Sequence, residues 1–431
     1  MLNRINIQKY IKRELFSDII KHLGKPEMTL ITGSRQVGKT ILLLQLKDWL
    51  IREKNIASEN IFYYNLDFIQ DWQIFQDQTH FIEFLKDRSQ KEKIYVFIDE
   101  AQKAKDAAKF FKGVYDSRFN VKLVLTGSSS LEIKTKIKES LAGRKIIFNL
   151  SPFCFLEFIA AQNKFLYQKL FLRKKIVVLD QNELLILFQK YIIFGGYPRV
   201  VLSKNEQEKL MLLKEINASY IEKDIIGFLE IKNKLAFSNL IKLLAGQIGQ
   251  LVNIQEIAAN LRIDRQTVER YIFALLQTFV TKDLLPYFRN SRQEIIKMSK
   301  IYFTDLGLRN LAIENFSKLN QRLDKGELLE NAVFNELNFY LRNSLAKIRF
   351  WRTKQKAEVD FIIAKGNQLV PIEVKYSINK PKISLSLRNF IEKYQPKQGF
   401  VVNLSINNQS LKIKKTKVNF IYPFELNKIK I

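Results

Sequence analysis

One short stretch near the start of the numbering constrains this sequence more than any other feature. Between the apolar runs Met28 to Ile31 and Ile41 to Leu46, the chain reads Gly33-Ser34-Arg35-Gln36-Val37-Gly38-Lys39-Thr40. The glycines let backbone N–H groups curl around phosphates, Lys39 reaches the β- and γ-phosphate oxygens, and the Thr40 hydroxyl ligates Mg²⁺ at the start of a helix. This spacing is a complete Walker A loop, and it predicts a site for a nucleoside triphosphate with Mg²⁺.

A second motif supports this interpretation. Ile94 to Ile98 is a continuous apolar run that ends in Asp99 and Glu100, as expected for a buried parallel strand with a Walker B terminus. Asp99 would belong to the magnesium shell, and Glu100 lies where a general base would polarise the attacking water. The alternative is that both acids are a solvated strand end. The pair predicts hydrolysis rather than binding alone.

Composition bounds the other partners. The chain has 431 residues and a formal net charge of +28, which leaves room for two to four domains and favours an anionic partner. Nucleic acid is the obvious candidate, although an AT-rich genome produces the same enrichment in Lys, Ile, Asn and Phe. DNA is therefore an open prediction.

Cysteine and histidine usage excludes some classes of site. The one cysteine, Cys154, rules out an intramolecular disulfide, and with His22 and His80 as the two histidines a Cys/His zinc site is not expected. No apolar run approaches the roughly 18 residues of a membrane span, and Met1 to Leu15 is interrupted by basic residues. We expect a cytoplasmic protein without a membrane partner.

The first half of the sequence alternates between strand-like and helical patterns. An α/β fold with a doubly wound, mostly parallel P-loop NTPase sheet follows from this alternation. The strand before Gly127 would place Ser128 at the carboxyl edge of the sheet, where a γ-phosphate would lie, so Ser128 is a candidate phosphate sensor. A plain Gly/Ser turn or helix cap is the alternative. The strands are predicted near 28–32, 61–66, 94–98, 121–126 and 145–150.

Further motifs give the sequence a family resemblance. After the Walker A loop and the Asp-Glu strand come Leu-Thr-Gly-Ser-Ser-Ser at 125–130, Ser-Leu-Ala-Gly-Arg at 140–144, and Pro-Phe-x-Phe-x-Glu-Phe at 152–158. Gly195 to Arg199 and Tyr220 to Ile225 follow. Together they resemble a family of prokaryotic AAA-type ATPases with a carboxy-terminal domain of unknown function, and the resemblance covers nearly the whole chain.

The resemblance implies ATP as the nucleotide and a role for one arginine. In that family the arginine of the Ala-Gly-Arg motif would serve as an arginine finger, which here is Arg144, and its planar fork suits charge on a transferring phosphoryl group. The competing interpretation is a salt bridge or surface arginine beside a glycine turn. Whether Arg144 would act within its chain or across a subunit boundary is open, as is a homo-oligomer or a protein partner.

Beyond the first domain, the pattern is helical from 151 to 245 and then changes. Ile254 to Leu261, a short turn, and Arg265 to Phe279 predict a helix-turn-helix, with Leu284 to Phe288 and Lys300 to Phe303 as a wing. In a winged helix docked on DNA, the start of the second helix would meet bases or phosphates. A protein-binding winged helix is the alternative. The candidate nucleic-acid residues are Arg265, Gln266, Thr267 and Arg270.

The last segment resembles the PD-(D/E)XK nuclease core. Glu330 lies in a helical run, Asp360 in one strand, and Glu373 and Lys375 in the next, after a Lys365-Gly366-Asn367 turn. Period-two side chains direct Glu373 and Lys375 to one face, and Asp360 can meet them from the partner strand. Asp360, Glu373 and Glu330 would bind a divalent metal, while Lys375 stabilises developing charge. The alternatives are a salt-bridged hairpin face, or a nuclease fold whose catalysis has lapsed.

The sequence thus predicts four parts and one principal function. The function is an ATP-hydrolysing AAA-type protein that couples turnover to DNA binding or processing. One alternative is a signalling or scaffold ATPase with an inert nuclease-like domain, and another is a metal-dependent nuclease with a structural ATP site. The predicted parts are an ATPase domain at 1–150, a helical lid or linker at 151–245, a winged helix at 246–310 and an α/β nuclease-like domain at 311–431.

Overall fold

The structure is a computed structural model that describes residues 10–128, 141–172, 174–220, 231, 233–288 and 298–431. Their contacts divide the chain into two compact units. The first comprises the described residues of Met1–Phe153, Glu215–Ile231 and Gln277–Phe279, and the second those of Cys154–Lys214, Lys232–Leu276 and Val280–Ile431. Within the described residues, no helix is both long and apolar enough to span a membrane. The division into four parts remains a prediction.

A five-stranded parallel sheet forms the centre of the first unit, in the order β2-β3-β4-β1-β5. All five predicted strands are present; β1 and β3 are apolar runs that the sheet buries, whereas the edge strand β5 is largely exposed. The strands are β1 Met28–Gly33, β2 Ile61–Asn65, β3 Ile94–Asp99, β4 Val121–Ser128 and β5 Lys145–Asn149. The helices are α1 Phe16–His22, α2 Lys39–Arg52, α3 Ile69–Ile74, α4 Gln78–Arg88 and α5 Ala107–Asp116, with 3₁₀ turns at Ser58–Asn60 and Ala101–Lys103.

The order of the strands positions the two nucleotide motifs. Strand β4 lies between β1, which leads into the Walker A loop, and β3, which ends in the Walker B acids. Because all the strands are parallel, their carboxyl ends share one edge of the sheet. At that edge Gly33 is paired with Ser128, and a Cβ atom on Gly33 would lie 2.1 Å from the carbonyl oxygen of Leu150. A glycine is required there for steric reasons.

The second unit begins with a mainly helical region, as predicted for 151–245. Within the predicted Gly195 to Arg199 turn, Gly195 has φ 76° and Pro198 begins a helix. A Cβ on Gly195 would lie 2.4 Å from Asp305 Oδ1, so the turn is packed. Of the Tyr220 to Ile225 motif, the residues after Tyr220 lie outside the described residues. The helices are α6 Phe155–Gln162, α7 Lys164–Phe171, α8 Val178–Phe194, α9 Pro198–Leu202, α10 Glu206–Asn217 and α11 Lys234–Gly246.

Two helices and a small sheet occupy the region predicted as a winged helix. Helices α12 Ile254–Leu261 and α13 Arg265–Gln277 precede β6 Thr281–Leu284 and β7 Lys300–Phe303, which pair antiparallel. The predicted first wing strand at Leu284 to Phe288 was wrong: the strand ends at Leu284. Beyond it, Pro286 bridges Phe350 of another sheet, so those residues are extended but pair elsewhere.

A six-stranded mixed sheet completes the second unit, in the order β12-β13-β11-β10-β9-β8. Strands β9 and β10 form the predicted antiparallel hairpin, with Ile372 opposite Phe361. The strands are β8 Lys347–Arg352, β9 Glu358–Lys365, β10 Gln368–Lys375, β11 Gln398–Asn403, β12 Gln409–Ile413 and β13 Thr416–Ile421. The helices are α14 Leu306–Ala312, α15 Lys325–Tyr340 and α16 Leu385–Tyr394, with 3₁₀ turns at Leu319–Gln321 and Pro423–Lys428.

Candidate functional site

The Walker A loop lies between β1 and α2. Its curvature depends on Gln36 and Gly38, which have φ values of 62° and 97°. Gly38 is the residue before the first turn of α2, so the free N–H groups of that turn face the loop. Lys39 is 6% exposed, and its Nζ donates hydrogen bonds of 3.0 Å to the carbonyl oxygens of Gly33 and Ser34. Around it, Ser34 and Val37 are buried and Arg35 is exposed.

Arg13 supports the loop from behind. Its Nη1 donates to the Val37 carbonyl oxygen at 2.7 Å, and its Nη2 donates to the Ser151 carbonyl oxygen at 2.6 Å. The guanidinium also lies over the ring of Phe153, 4.9 Å from its centroid. Arg13 is 6% exposed, so its guanidinium is buried where it binds these carbonyl oxygens and stabilises the loop. Sequence analysis did not identify it, because a single arginine before a helix carries no recognisable pattern.

The two nucleotide motifs meet at Asp99. The Thr40 hydroxyl donates to Asp99 Oδ2 at 2.5 Å, and the Thr126 hydroxyl, from the intervening strand β4, donates to Asp99 Oδ1. Asp99 is 1% exposed. Tyr63 of β2 approaches the same carboxylate, with its hydroxyl 3.4 Å from Oδ2, and burial together with Asp99 raises the Tyr63 pKa. Side chains from α2, β2 and β4 therefore position a carboxylate that β3 carries.

Glu100 has an unusual backbone conformation beside it. Its φ is 54°, in the left-handed region, and its backbone N–H donates to the Thr126 hydroxyl at 3.1 Å. Its carboxylate accepts a hydrogen bond of 2.5 Å from Gln102 Nε2. Thr126 thus contacts both Walker B acids, a role that sequence analysis missed. The Leu-Thr-Gly-Ser motif is the signal that would have pointed to it.

The Walker A loop also contacts the end of α10 and the residues just after it, which belong to the first unit. Gln36 Nε2 lies 3.3 Å from Ser219 Oγ and 3.5 Å from Glu215 Oε1. The Ser219 hydroxyl in turn donates to the Ile216 carbonyl oxygen at 3.2 Å. A residue of the phosphate loop is therefore joined to a part of the chain about 180 residues further along.

The structure places Ser128 at the predicted edge, opposite Gly33. The orientation of its side chain is outside what the structure describes, as are Ser129 and Ser130. The role of Ser128 as a phosphate sensor remains a prediction.

Arg144 lies at the opposite edge of the sheet. Its carbonyl oxygen accepts from the N–H of Met28, which begins β1, whereas the Walker A loop follows the end of β1. Its guanidinium forms two hydrogen bonds with Asp116, Nε to Oδ1 at 2.7 Å and Nη2 to Oδ2 at 3.1 Å. These contacts place Arg144 away from the Walker A loop of its own chain, because the two ends of β1 separate the groups. The salt-bridge alternative describes what is seen, and action on another subunit remains a prediction.

The four candidate nucleic-acid residues begin α13. Arg265 and Gln266 are exposed, and Arg265 Nε pairs with Glu269 at 2.8 Å. Arg270 is also exposed. Thr267 instead caps the helix with Asp264, through its N–H at 2.8 Å and its hydroxyl at 2.7 Å. Two arginines and one amide are available on the surface of this helix.

The hairpin of β9 and β10 brings three of the predicted nuclease-like residues together. Asp360 accepts from the Val374 N–H at 2.7 Å, so it reaches the strand that carries Glu373 and Lys375. Lys375 Nζ lies 3.0 Å from Glu373 Oε1, which confirms that these two share a face. Burial lowers the pKa of Lys375, but Glu373 outweighs this and raises it overall. Glu373 is 4% exposed and its Oε2 has no hydrogen-bond partner among the described residues.

Glu330, the fourth predicted residue, is held by other partners. Its Oε1 lies 3.2 Å from Lys300 Nζ and accepts the Tyr302 hydroxyl. Lys300 also lies 2.5 Å from Glu358 Oε1. Burial and the charge of Glu330 raise the pKa of Asp360 well above its ordinary value. Sequence analysis did not assign Lys300 and Tyr302 to this site, because they lie on β7, 30 and 28 residues before Glu330.

The predicted metal ligands differ in how many of their oxygens already have hydrogen-bond partners. Among the described residues, no group of three or more His, Cys, Asp or Glu side chains is arranged to hold a metal ion. Glu373 offers one carboxylate oxygen to a cation, since its Oε2 is buried without a hydrogen-bond partner among the described residues, whereas Asp360 already accepts from the Val374 N–H. Glu330 is already held at its Oε1 by Lys300 and Tyr302, and its role as a metal ligand stays a prediction. At the loop, Thr40 and Asp99 fit Mg²⁺, since a hydroxyl and a carboxylate meet beside the phosphate cradle.

Three family models match successive parts of the chain. Residues 25–159 match a family described as "AAA domain". Residues 186–319 match a "Domain of unknown function (DUF8612)", and residues 325–424 match a "Domain of unknown function (DUF4143)". The AAA match includes the Walker A loop, Asp99, Glu100 and Arg144.

Similar proteins extend over almost the whole chain. An uncharacterized protein of Haemophilus influenzae is 28% identical over 88% of this chain and 88% of its own length. One from Methanocaldococcus jannaschii is 28% identical over 96% of this chain and 87% of its own length. Among solved structures, domain III of the Thermotoga maritima replication initiation protein DnaA has a TM-score of 0.31 at 11% identity, covering 49% of this chain and 95% of that one. The chain carries an AAA-type P-loop ATPase domain, followed by a domain of the DUF4143 family.

Proposed function

We propose that this protein binds and hydrolyses ATP with Mg²⁺ in its first unit. The observation that carries the proposal is the contact of Thr40 with Asp99, 2.5 Å between hydroxyl and carboxylate oxygens. It joins the Walker A loop to the Walker B strand at one point. Arranged in this way, Thr40 and Asp99 would hold Mg²⁺, whose charge neutralises phosphate oxygens when it is bound.

Each nearby residue has a distinct role in this proposal. Lys39 would exchange its loop carbonyl partners for β- and γ-phosphate oxygens, and the N–H groups at the start of α2 would cradle the phosphates. Glu100 would accept the proton of the attacking water, with Thr126 fixing its backbone. Arg144 is not needed within the chain, since its guanidinium faces Asp116 at the far edge of the sheet.

A matched pair of lysine variants tests the ATP site. Lys39→Ala is expected to lower ATP affinity at least tenfold and to abolish turnover, because the loop loses its phosphate-binding charge. Lys47→Ala, on the same helix, should leave both unchanged. Equal effects of the two variants would contradict the proposal, and thermal unfolding of each variant checks that the fold is intact.

We further propose that ATP turnover is coupled to DNA binding by the second unit. Arg265 and Arg270 are exposed at the start of α13, in a chain of net charge +28. The order of α12, α13, β6 and β7 and the antiparallel pairing of β6 with β7 support a winged-helix role for this segment. The contact between Gln36 and Ser219 supports the coupling, since the chain passes from the second unit to the nucleotide-binding unit within α10, between Lys214 and Glu215.

DNA binding is tested by fluorescence anisotropy and by turnover in the presence of duplex and single-stranded DNA. Arg265→Ala with Arg270→Ala should weaken DNA binding about tenfold and remove any stimulation of turnover, because phosphate contacts are lost. Arg388→Ala, an exposed arginine on α16, is the matched control. Turnover that is indifferent to DNA would favour the alternative of a signalling or scaffold ATPase.

A metal-dependent nuclease with a structural ATP site is the third function considered. Its metal shell would need Glu330 together with Asp360 and Glu373, and the contacts of Lys300 and Tyr302 to Glu330 count against it. Cleavage that is unaffected by Glu100→Gln would favour it. We therefore place the proposed chemistry at the Walker motifs and give the second unit a binding role.

A further inference from the structure

Lys300 is a buried cation among acidic side chains. Its side chain is 2% exposed, and its ammonium lies 3.2 Å from Glu330 Oε1 and 2.5 Å from Glu358 Oε1. Asp360, which also interacts electrostatically with this ammonium, is the third member of what we name the acidic cluster: Glu330, Glu358 and Asp360. The cluster thus has a positive charge supplied by the protein.

The elements of the second unit fix this arrangement. Lys300 begins β7, Glu330 lies within α15, and Glu358 and Asp360 alternate along β9. Because side chains two apart on a strand share a face, Glu358 and Asp360 are directed the same way. Tyr302, two residues after Lys300, donates its hydroxyl to Glu330, and Arg352 Nη1 binds Glu358 Oε2 at 2.9 Å. Both carboxylates that contact Lys300 are therefore oriented by a second partner.

A divalent cation ligated by Glu330 would compete with this lysine. Oxygen ligands lie about 2 to 2.6 Å from Mg²⁺ or Ca²⁺, which is closer than the ammonium now lies to Glu330. Two cations that share one buried carboxylate repel each other. Because Lys300 is buried, its ammonium cannot reach water while it keeps its present contacts. The cluster can be neutralised by the lysine or by a metal ion, but not well by both.

A further buried carboxylate lies on β10, the strand that pairs with the strand of Asp360. Glu373 is 4% exposed, and its Oε2 has no hydrogen-bond partner among the described residues. Asp360 reaches the strand that carries Glu373 through the Val374 N–H. If Lys300 were neutral, Glu330, Glu358 and Asp360 would lose their counter-charge.

We propose that Lys300 occupies the acidic cluster in place of a divalent cation, so that the domain formed around β9, β10 and α15 folds without a metal ion in that cluster. Lys300 is a positioning residue: it holds Glu330 and Glu358, and it closes the cluster to metal ions. This role of Lys300 is independent of the ATP hydrolysis that we propose for the first unit.

The experiment measures Mn²⁺ binding to the full chain without nucleotide, by the loss of the free-ion electron paramagnetic resonance signal. Wild type, Glu330→Gln and Asp360→Asn should bind Mn²⁺ equally within twofold, since none uses the cluster for metal. Lys300→Met, which keeps the length but removes the charge, should gain one site at least tenfold tighter than any wild-type site. Lys347→Met, an exposed lysine on β8, is the matched control and should gain none.

The variants also decide the opposite outcome. A wild-type Mn²⁺ site that is lost in Glu330→Gln or Asp360→Asn would overturn the proposal, and this comparison holds even if Lys300→Met does not fold. A folded Lys300→Met that gains no Mn²⁺ site would overturn it as well. Loss of the gained site in Lys300→Met combined with Glu330→Gln would assign it to the cluster.

Discussion

Thr126 donates its hydroxyl to Asp99 and accepts the backbone N–H of Glu100 through the same oxygen. One side chain on β4 thereby fixes both Walker B acids, which lie at the end of the neighbouring strand β3. Because hydrogen bonds to a buried carboxylate are strong and directional, this contact sets where Asp99 points. The site is assembled by three strands and the first turn of α2, rather than by the two motifs alone.

The Thr126 contact predicts a catalytic effect from a residue outside both motifs. Thr126→Val keeps the shape but removes the donor and acceptor, so we expect kcat for ATP hydrolysis to fall 10- to 100-fold, or about 1.4 to 2.8 kcal/mol in activation free energy. Steady-state turnover measures this. The control is Thr281→Val, because the Thr281 hydroxyl is buried without a partner among the described residues. A Thr126→Val enzyme with wild-type kcat would contradict the assignment.

The contact of the phosphate loop with Ser219 predicts a separation of turnover from coupling. Ser219→Ala removes the hydroxyl 3.3 Å from Gln36 Nε2 but leaves the loop itself intact. We expect turnover within twofold of wild type, with the effect of ATP on DNA affinity lost. Anisotropy with and without nucleotide measures the difference. Ser17→Ala removes a similar hydroxyl, which lies on α1 and donates to the Glu14 carbonyl oxygen, and it should leave the coupling unchanged.

Glu336 predicts how the stability of the second unit depends on pH. Burial raises its pKa to about 7, although the Phe155 N–H at 2.9 Å and the Tyr191 hydroxyl at 3.2 Å oppose this. Since the pKa is higher folded than unfolded, the stabilisation is present below about pH 4.5 and is lost as pH rises to about 7. The change is about 3 kcal/mol at most. Asp305, whose pKa burial raises to about 6, contributes in the same direction.

Urea unfolding at pH 5 and pH 8 measures this dependence. Glu336→Gln, which retains an acceptor for both donors, should be more stable than wild type at pH 8 and should lose much of the pH dependence. Glu392→Gln, at an exposed position on α16, should behave as wild type. Equal pH dependence in wild type and Glu336→Gln would show that this carboxyl group ionises normally.

Arg144 predicts the absence of an effect within a single chain. Because its guanidinium binds Asp116 at the amino end of the sheet, Arg144→Ala should change turnover less than twofold at low protein concentration. A dilution series of turnover measures this. A tenfold loss that persists at all concentrations would mean that Arg144 reaches the nucleotide of its own chain. A loss that appears only at high concentration would indicate action on another subunit.

The comparison with the sequence shows which features local patterns can predict. All five strands of the first sheet, the helix after the Walker loop and the β9–β10 hairpin were predicted, because buried strands and turn residues leave a continuous pattern. The contacts that complete the sites were not. These contacts join distant parts of the chain, and no local periodicity predicts them. Examples are Thr126 with Asp99, Arg13 with Val37, and Lys300 with Glu330.

One error and one open prediction have physical explanations. The first wing strand was placed at Leu284 to Phe288, but these apolar residues continue past β6 to contact Phe350 of the larger sheet. Arg144 was given a catalytic role because its motif resembles that of a family, although resemblance does not specify which end of the sheet it occupies. Its carbonyl contact with Met28 shows the position directly.

The most direct test of the central claim is ATP binding and turnover by Glu100→Gln. The amide keeps the shape and the acceptor for Gln102 but cannot take a proton from water, so ATP affinity should stay within threefold while turnover falls at least 100-fold. Glu53→Gln, at an exposed position after α2, should match wild type in both. Turnover that survives Glu100→Gln would contradict the assignment of hydrolysis to this Walker site.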